Sequence, residues 1–490
     1  MRTVLGHTAT DTDASPFLPA PGDRARLQHH LEIACRRART VRGGAVLAAA
    51  TWALPPDVDP TGTVVASRRS GEPWFVFEQP DRDGAALTAL GCAVALEARG
   101  EDRFAVVAAR WRRLAADAVC DPRGDGPRGS GPVAVGGFSF APDGGRAPHW
   151  EGFAPASLQV PEVAIVRRGG DLRLTVTALV HADDDVADVL ARLDARLREL
   201  RDAPPPVLDP SPVSRTRVAS TMPPEHYEGA VQRAVERIRA GRLQKVVLAR
   251  EVQVHTGPGA APHDPGGVLG VLRDAFPSCY IVCAGRGDSA FLAASPELLI
   301  QRDGLRAGTL ALAGSTRRSA DPAVDDHLGE ALLRSTKDRE EQAIVTRRIE
   351  RTLAPHSVWV TSAEEPIVVK VANIQHLGTP IRAQLASHVG VIELAGLLHP
   401  TPAVGGEPLP VAAPMIPELE GFDRGWYAGP VGWADTGEDG EFCVALRSAL
   451  LTGGVARCFA GVGVVRDSDP AAELAETEIK LQALLPVLAL

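Results

Sequence analysis

The stretch that decides the fold is LQKVVLAREV, residues 243–252. Its alternating pattern predicts a β-strand over residues 245–254, with Lys245, Val247 and Ala249 on one face. A lysine is ordinarily a charged surface residue, and that is the default for Lys245. If this face is buried instead, desolvation favours the neutral amine, which can act as a general base. The segment therefore carries both a fold signal and a candidate catalytic residue.

Predicted strands dominate the sequence on both sides of this segment and are interrupted by single helices. Helices are predicted over residues 224–240, 325–353 and 470–485. Strands are predicted over residues 133–140, 279–284, 290–300, 367–374, 427–433, 441–450 and 456–465, with a hairpin of 163–166 and 172–179. Runs of strands broken by isolated helices indicate an α/β or α+β sandwich and not a doubly wound βαβ repeat.

The composition excludes several classes of protein. A net charge of −9 with 4% aromatic residues argues against nucleic-acid binding. The N-terminal MRTVLGHTATDTD lacks the apolar region of a secretory signal, and the uncharged stretch 43–56 is shorter than the ~20 residues of a membrane span. Seven cysteines without a CxxC pair favour reduced thiols in the cytoplasm over disulfides or a zinc site. None of the four lysines precedes Ser or Thr, which excludes a P-loop.

Gly and Pro mark the candidate domain boundaries. Length alone predicts roughly three domains. Residues 1–20 are predicted to be a mobile tail. The Pro-rich DAPPPVLDPSPVS, residues 202–214, is the best internal boundary, because consecutive prolines cannot continue a helix or a central strand. The chain is therefore divided into an N-terminal part, 21–214, and a C-terminal part, 215–490.

Two predicted helices place carboxylates on faces that carry apolar or basic residues. In the first, Glu341 extends the apolar line of Val345 and Ile349, with Asp338 three residues earlier. A carboxylate on such a line is either solvated at the helix end or held by a partner or a metal. In the closing helix, Glu473, Glu476 and Lys480 share one face. Glu476 and Lys480 form a surface Glu–Lys pair, or the two glutamates are further metal ligands. Two helices could together hold one hard divalent cation such as Mg²⁺.

Further candidates lie in predicted strands and loops. Glu297 follows a proline and is either a helix-start carboxylate or a catalytic acid. Arg447 stands among apolar residues and needs a partner, for which a carboxylate would serve. The glycines of AGVGVV, Gly461 among them, are a weak dinucleotide signal but would let backbone N–H groups approach an anion. His376 could equally be a satisfied core histidine.

Nine ordered motifs resemble those of the chorismate-utilising enzymes and are most similar to those of isochorismate synthases. They are KVVLARE, ASPELLI, LAGSTRR, KDREEQ, NIQHLGTPIRA, LHPTPAVGG, FDRGWYAGPVGW, FCVALRS and AGVGV…ELAETEIKL. The resemblance covers about residues 227–485 and extends more weakly to VAVGGFSF and FVFEQPDRDG. It implies one large α/β (α+β) sandwich of two mostly antiparallel sheets with helices outside. On that fold the Pro-rich stretch becomes a surface crossover, and three domains are too many.

The resemblance also implies a role for each matching residue. Lys245 matches the base that activates water for attack on C2 of chorismate, and Glu297 the acid that protonates the departing C4 hydroxyl. Glu341 and Glu476 match the two Mg²⁺ ligands, with Asp338 and Glu473 as candidates for the outer coordination shell. The remaining matches hold the substrate: Gly314, Ser315, His376, Tyr427, Arg447, Gly461 and Lys480. Chorismate is a dianion, so the cations among them can neutralise and orient it.

Alternatives with the same fold differ at particular positions. Anthranilate synthases have a glutamine at the position of Lys245 and take ammonia from a glutaminase partner, which is not expected here. Aminodeoxychorismate synthases have a lysine at the position of Ala313, and salicylate synthases lack HPTPAV, residues 399–404. A catalytically inactive chorismate-binding paralogue is disfavoured because base, acid and both metal carboxylates are present.

Some consequences of the resemblance are less direct. Gln342 departs from the family pattern, since a histidine usually follows the metal-ligand glutamate. The long N-terminal part and GWYAGPVGW are similar to the menaquinone branch, with the siderophore or salicylate branch as the alternative. The expected partner is the small-molecule substrate, with no nucleic acid and no membrane, in a cytoplasmic monomer or weak homodimer.

Overall fold

The computed structural model describes residues 15–41, 43–208 and 216–489. The helices are α1 Pro21–Ala38, α2 Pro60–Ser67, α3 Arg103–Asp117, α4 Val186–Arg198, α5 Pro224–Arg239, α6 Pro265–Ala275, α7 Pro322–Arg334, α8 Thr336–Leu353, α9 Val391–Leu398, α10 Leu409–Glu420, α11 Pro470–Leu481 and α12 Leu485–Leu488. Short 3-10 turns lie at Pro148–Trp150 and Ala354–His356. Within those described ranges, no helix combines the length and the apolar character needed to cross a bilayer.

The strands of the N-terminal part are β1 Ala45–Ala53, β2 Trp74–Gln79, β3 Ala85–Leu90, β4 Val94–Ala98, β5 Val133–Phe138, β6 Ala156–Val160, β7 Val163–Arg168 and β8 Asp171–His181. Those of the C-terminal part are β9 Arg217–Ser220, β10 Lys245–His255, β11 Tyr280–Arg286, β12 Ser289–Ser295, β13 Leu298–Asp303, β14 Arg306–Arg317, β15 Ser357–Ser362, β16 Ile367–Lys370, β17 Ile374–Leu385, β18 Gly406–Glu407, β19 Pro430–Asp435, β20 Gly440–Val444, β21 Ser448–Thr452 and β22 Val455–Val464.

These strands form two large sheets. The larger has 12 strands in the order β1-β8-β7-β3-β2-β11-β12-β21-β22-β10-β18, with β9 beside β10. The smaller has 10 strands in the order β15-β17-β14-β13-β20-β19-β5-β6-β4, with β16 beside β17. Neighbours pair antiparallel, as β10 does with β22 and β14 with β17. Both sheets take strands from both halves of the chain, and the predicted two-sheet sandwich is confirmed.

Side chains alternate between two apolar clusters along the strands of the larger sheet. On β11, Val282 and Ala284 join a cluster that reaches strands of the smaller sheet. The intervening Ile281 and Cys283 join a second cluster with Leu31 of α1. A strand covered on both faces becomes a nearly continuous apolar run, which explains why β11 shows so little polar alternation.

Several predicted single elements are in fact two. The helix predicted over residues 325–353 divides into α7 and α8, because Ser335 is extended (φ −65°, ψ 116°) and its hydroxyl accepts the backbone N–H of Asp338 at 3.3 Å. The strand predicted over 367–374 is the hairpin of β16 and β17. The strand over 290–300 divides into β12 and β13, and the strand over 441–450 into β20 and β21.

The last two divisions have a functional consequence. The chain leaves the larger sheet after β12 and enters the smaller one at β13, and the crossing contains Glu297. It returns between β20 and β21, and that crossing ends at Arg447, which has a left-handed φ of 50°. A non-glycine residue in this conformation is strained and is held by its surroundings. Two predicted site residues therefore lie where the chain passes between the sheets.

The ends of the proposed parts are only partly described. Of the predicted tail 1–20, residues 1–14 lie outside the described residues, whereas Phe17 is 1% exposed within the second cluster. Of the Pro-rich stretch, residues 209–214 also lie outside them, and Leu208 packs against the same cluster. The division at residue 214 stays a prediction.

Candidate active site

One cavity collects nearly all of the predicted site residues. Those that line it are Glu297, Gly314, Ser315, Asp338, Glu341, His376, Tyr427, Arg447, Gly461, Glu473, Glu476 and Lys480. They come from strands of both sheets, from the two crossings and from α8 and α11. Residues separated by almost 200 positions in sequence therefore meet at one place.

Lys245 lies immediately behind this lining and not on it. Its side chain is 0% exposed, so the surface interpretation is wrong. Its Nζ is 2.7 Å from Glu341 Oε1. A Cβ at Gly463 would lie 2.7 Å from Lys245 Cε and 2.3 Å from Glu341 Oε1, so only glycine leaves room for this pair. The pairing also overturns the solvated interpretation of Glu341, which is buried.

Glu297 is the buried acid of the site. The Ser295 hydroxyl accepts the Glu297 backbone N–H at 3.2 Å, and the Glu297 carbonyl accepts the N–H of Val444 at 3.0 Å. Burial raises the pKa of Glu297 to about 7, against the lowering effect of the neighbouring cations, Lys245 first among them. A carboxyl with this pKa is partly protonated at neutral pH and can donate a proton.

Arg447 and His376 form a buried pair on the cavity wall. Arg447 Nη2 donates to His376 Nε2 at 2.7 Å, and His376 Nδ1 donates to the carbonyl oxygen of Gly314 at 3.2 Å. Burial, followed by the charge of Arg447, lowers the pKa of His376 to about 3, which keeps the ring neutral in this tautomer. Within the chain Arg447 therefore donates to a histidine, and its binding to a substrate carboxylate stays a prediction. Gly314 has φ +72° at a bulge of β14, which directs its carbonyl toward the ring.

Glu476 and Lys480 form the predicted i,i+4 pair, but within the cavity. Lys480 Nζ lies 2.8 Å from Glu476 Oε1 and donates to the Gly461 carbonyl at 2.9 Å. The Ser315 hydroxyl donates to the same Glu476 oxygen at 2.6 Å. Burial acts to raise the pKa of Glu476, but Lys480 and the Ser315 hydroxyl outweigh it and lower that pKa. Glu476 is thus held ionised and oriented.

Asp338 and Glu473 complete a group of converging carboxylates. Burial raises the pKa of Asp338, and the nearby charges of Glu341 and Glu476 raise it further. Burial also raises the pKa of Glu473, whose Oε1 accepts a hydrogen bond from Lys337 Nζ at 3.1 Å. Carboxylate oxygens are the ligands that a hard cation prefers, and such a cation needs only one or two of them. Among the described residues, no group of three or more His, Cys, Asp or Glu side chains has metal-binding spacing.

Tyr427 adds an aromatic hydroxyl to the cavity wall. It is 2% exposed and stacks on Phe459 with ring centroids 5.3 Å apart. A Cβ at Gly461 would lie 2.7 Å from the Tyr427 hydroxyl, so this glycine keeps the tyrosine close to β22. The role expected for Gly461 in binding a substrate carboxylate stays a prediction.

Sequence reasoning missed two residues of the site. Gly463 makes room for Lys245 and Glu341, and only its position two residues after Gly461 could have indicated this. Lys337 lines the cavity, and its spacing of four residues from Glu341 on α8 was the available signal. The site therefore holds more positive charge than the sequence analysis assigned to it.

Gln342 does not point at the carboxylates. Its Nε2 donates to the Ala311 carbonyl and to Thr379 Oγ1, both at 2.9 Å. The side chain is buried against β14 and β17, where it joins α8 to the smaller sheet. Gln342 therefore anchors α8, the helix that carries Glu341, to the smaller sheet.

Comparisons with known proteins identify the family of this chain. Residues 34–489 match the family described as chorismate binding enzyme. The salicylate biosynthesis isochorismate synthase of Pseudomonas aeruginosa is 40% identical over 441 residues, which cover 90% of this chain and 89% of that protein. The isochorismate synthase MenF of Bacillus subtilis is 36% identical over 358 residues, 73% of this chain and 75% of that protein.

A solved structure shows the same arrangement of sheets. The menaquinone-specific isochorismate synthase MenF from Escherichia coli superposes with a TM-score of 0.75 at 27% identity, covering 95% of this chain and 100% of that one. The family match spans both sheets and every residue of the cavity. The chain therefore belongs to the chorismate binding enzyme family.

Proposed function

We propose that the protein is an isochorismate synthase, which converts chorismate to isochorismate. The observation that carries this proposal is a proton donor, Glu297, in a cavity that also holds Arg447 and Lys480. Lys245 lies directly behind this lining, with its Nζ 2.7 Å from the lining residue Glu341. An acid, a base and two cations are what a dianion requires when water enters at one carbon and hydroxyl leaves another. The relatives with this name support the substrate.

One water molecule is consumed at C2 and one is released from C4, so the overall reaction needs no further reactant. Lys245 accepts a proton from a water molecule, whose oxygen forms a bond to C2 of chorismate. The ring double bonds shift, the C4–O bond breaks, and Glu297 gives its proton to the departing hydroxyl, which leaves as water. Arg447 and Lys480 bind the substrate carboxylates and fix the ring between base and acid.

Oxygen ligands on α8 and α11 fit Mg²⁺. Glu341 and Glu476 would hold the ion, with Asp338 and Glu473 around it, because these carboxylates line one cavity. Nearby carboxylates add to the raised pKa of Asp338 and of Glu473. When bound, Mg²⁺ neutralises charge on a substrate carboxylate. The chain's own contribution is to orient Glu476 through Ser315 and Lys480.

Product analysis tests the proposed function. Incubation of the protein with chorismate and Mg²⁺, followed by chromatographic separation, is expected to give isochorismate without salicylate, pyruvate or anthranilate. Salicylate with pyruvate would indicate a salicylate synthase, and a folded protein without turnover would contradict any catalytic role. This chain has Lys245 at the position where anthranilate synthases have a glutamine, which supports a reaction with water and without a glutaminase partner. The menaquinone branch stays the prediction for the pathway.

Substitution of the metal carboxylates tests the cofactor. Glu341→Gln and Glu476→Gln are each expected to weaken Mg²⁺ binding by about 100-fold, since a metal ligand matters at least as much as its outer-shell partners. Isothermal titration calorimetry measures the affinity directly. Glu478→Gln is the matched control, because Glu478 lies on α11 with its side chain 53% exposed. Equal affinity in all three variants would contradict this metal site.

A further inference from the structure

One edge of β10 lacks a neighbouring strand next to the catalytic lysine. On this edge β18 pairs with residues 245–246 and β9 with residues 252–255. Within the part of the chain that is described, residues 247–251 have no strand partner there. Val247 N–H donates to the Gly405 carbonyl at 2.7 Å at one end of the gap, and Thr221 N–H donates to the Glu251 carbonyl at 3.2 Å at the other.

A buried ion pair fills this gap. Glu420 Oε1 accepts the backbone N–H of Ala249 at 2.7 Å, and Arg424 Nη2 donates to the Val247 carbonyl at 3.0 Å. The two side chains also bind each other, with Arg424 Nε donating to Glu420 Oε2 at 2.9 Å. Carboxylate and guanidinium thus supply the acceptor and the donor that an adjacent strand would otherwise provide.

Arg424 also holds two other parts of the cavity wall. Its Nη1 donates to the carbonyl of Val404, a cavity residue, at 2.9 Å. Its guanidinium lies 5.6 Å from the centre of the Tyr427 ring. The side chains of Arg424 and Glu420 are 3% and 1% exposed. A buried pair is costly to desolvate and often adds little stability, so a second reason for its presence is needed.

We propose that Glu420 and Arg424 are positioning residues for the general base. They fix Val247 and Ala249 of β10, two and four positions from Lys245 on the same face, relative to the loop at Val404 and to Tyr427. This inference rests on the proposed function, in which Lys245 takes a proton from water. A base displaced by about 1 Å can lose up to 100-fold in rate, so the contribution is to turnover and not to substrate affinity.

Arg424→Lys tests the proposal. Lysine keeps the charge but cannot reach Glu420 and both carbonyls at once, because it lacks the planar fork of arginine. The expected result is a 10- to 100-fold lower kcat with an unchanged KM for chorismate. Arg196→Lys is the matched control: Arg196 is 2% exposed, binds Glu72 and donates to the Ser67 carbonyl at 3.2 Å, outside the cavity. That variant is expected to lose similar thermal stability and to keep kcat.

Hydrogen exchange supplies a measurement that needs no activity. The Ala249 amide is expected to exchange at least about tenfold faster in Arg424→Lys than in the wild type, and at the wild-type rate in Arg196→Lys. Unchanged kcat and unchanged exchange at Ala249 would overturn the positioning role. If Arg424→Lys does not fold, Glu420→Gln takes its place, with the same direction expected and the same result overturning it. If the wild-type protein forms no isochorismate, the proposed function is refuted. The exchange rate at Ala249 still tests whether Glu420 and Arg424 hold β10 in place.

Discussion

Replacing Lys245 by methionine is expected to lower kcat about 1000-fold, within the range for loss of a general base. Methionine has a similar length and an unbranched apolar side chain, and it carries no amine. The side chain is fully buried beside Glu341, so no external base can take its place at that atom. Steady-state kinetics with chorismate measures the effect.

The control for this substitution is Lys370→Met. Lys370 is partly exposed, pairs with Asp325 and Asp326, and lies outside the cavity. It is expected to keep wild-type kcat. Mg²⁺ binding to the Lys245 variant should persist, because both metal carboxylates remain. Appreciable turnover in a folded Lys245→Met protein would show that another group is the base.

Replacing Glu297 by glutamine is expected to lower kcat by about 100- to 10,000-fold. Glutamine keeps the shape and cannot give a proton to the departing hydroxyl. Substrate binding should be retained, because Arg447 and Lys480 still face the carboxylates. A kcat close to the wild-type value would contradict the role of Glu297 as the acid.

The pH profile of the wild type provides a second test of Glu297. With a pKa of about 7, its carboxyl is protonated below pH 7 and loses the proton above it. A general acid works only when protonated, so kcat should fall about tenfold per pH unit above that pKa. This alkaline limb should be absent from the residual activity of Glu297→Gln.

Glu78→Gln is the control for that profile. Glu78 is 2% exposed, and burial raises its pKa, yet it lies on β2 away from the cavity. Its replacement should leave the alkaline limb unchanged. Persistence of the limb in Glu297→Gln would assign it to a different group.

Helical periodicity was the strongest source of correct predictions about where side chains lie. The line of Glu341, Val345 and Ile349 on α8 identified a carboxylate that is indeed buried. The face shared by Glu476 and Lys480 on α11 identified the pair that lines the cavity. A helix repeats every 3.6 residues, so sequence spacing alone places side chains on a common face.

Strand periodicity was less informative where the chain changes sheets. The apolar runs through Glu297 and Arg447 continue across both crossings, so each appeared as one strand. Nothing in a two-residue repeat states which sheet a residue joins. The same limit hid the partner of Arg447, since His376 lies 71 positions away on a different strand.

The sequence by itself determined the set of reactive residues, the helical faces that carry the carboxylates, and through nine motifs the family. Only the tertiary structure decided that Lys245 is buried against Glu341 and that burial raises the pKa of Glu297 to about 7. The physical reason is that spacing along the chain fixes which side chains share a face. Desolvation, in contrast, depends on what packs against that face, and here the packing partners come from distant parts of both sheets.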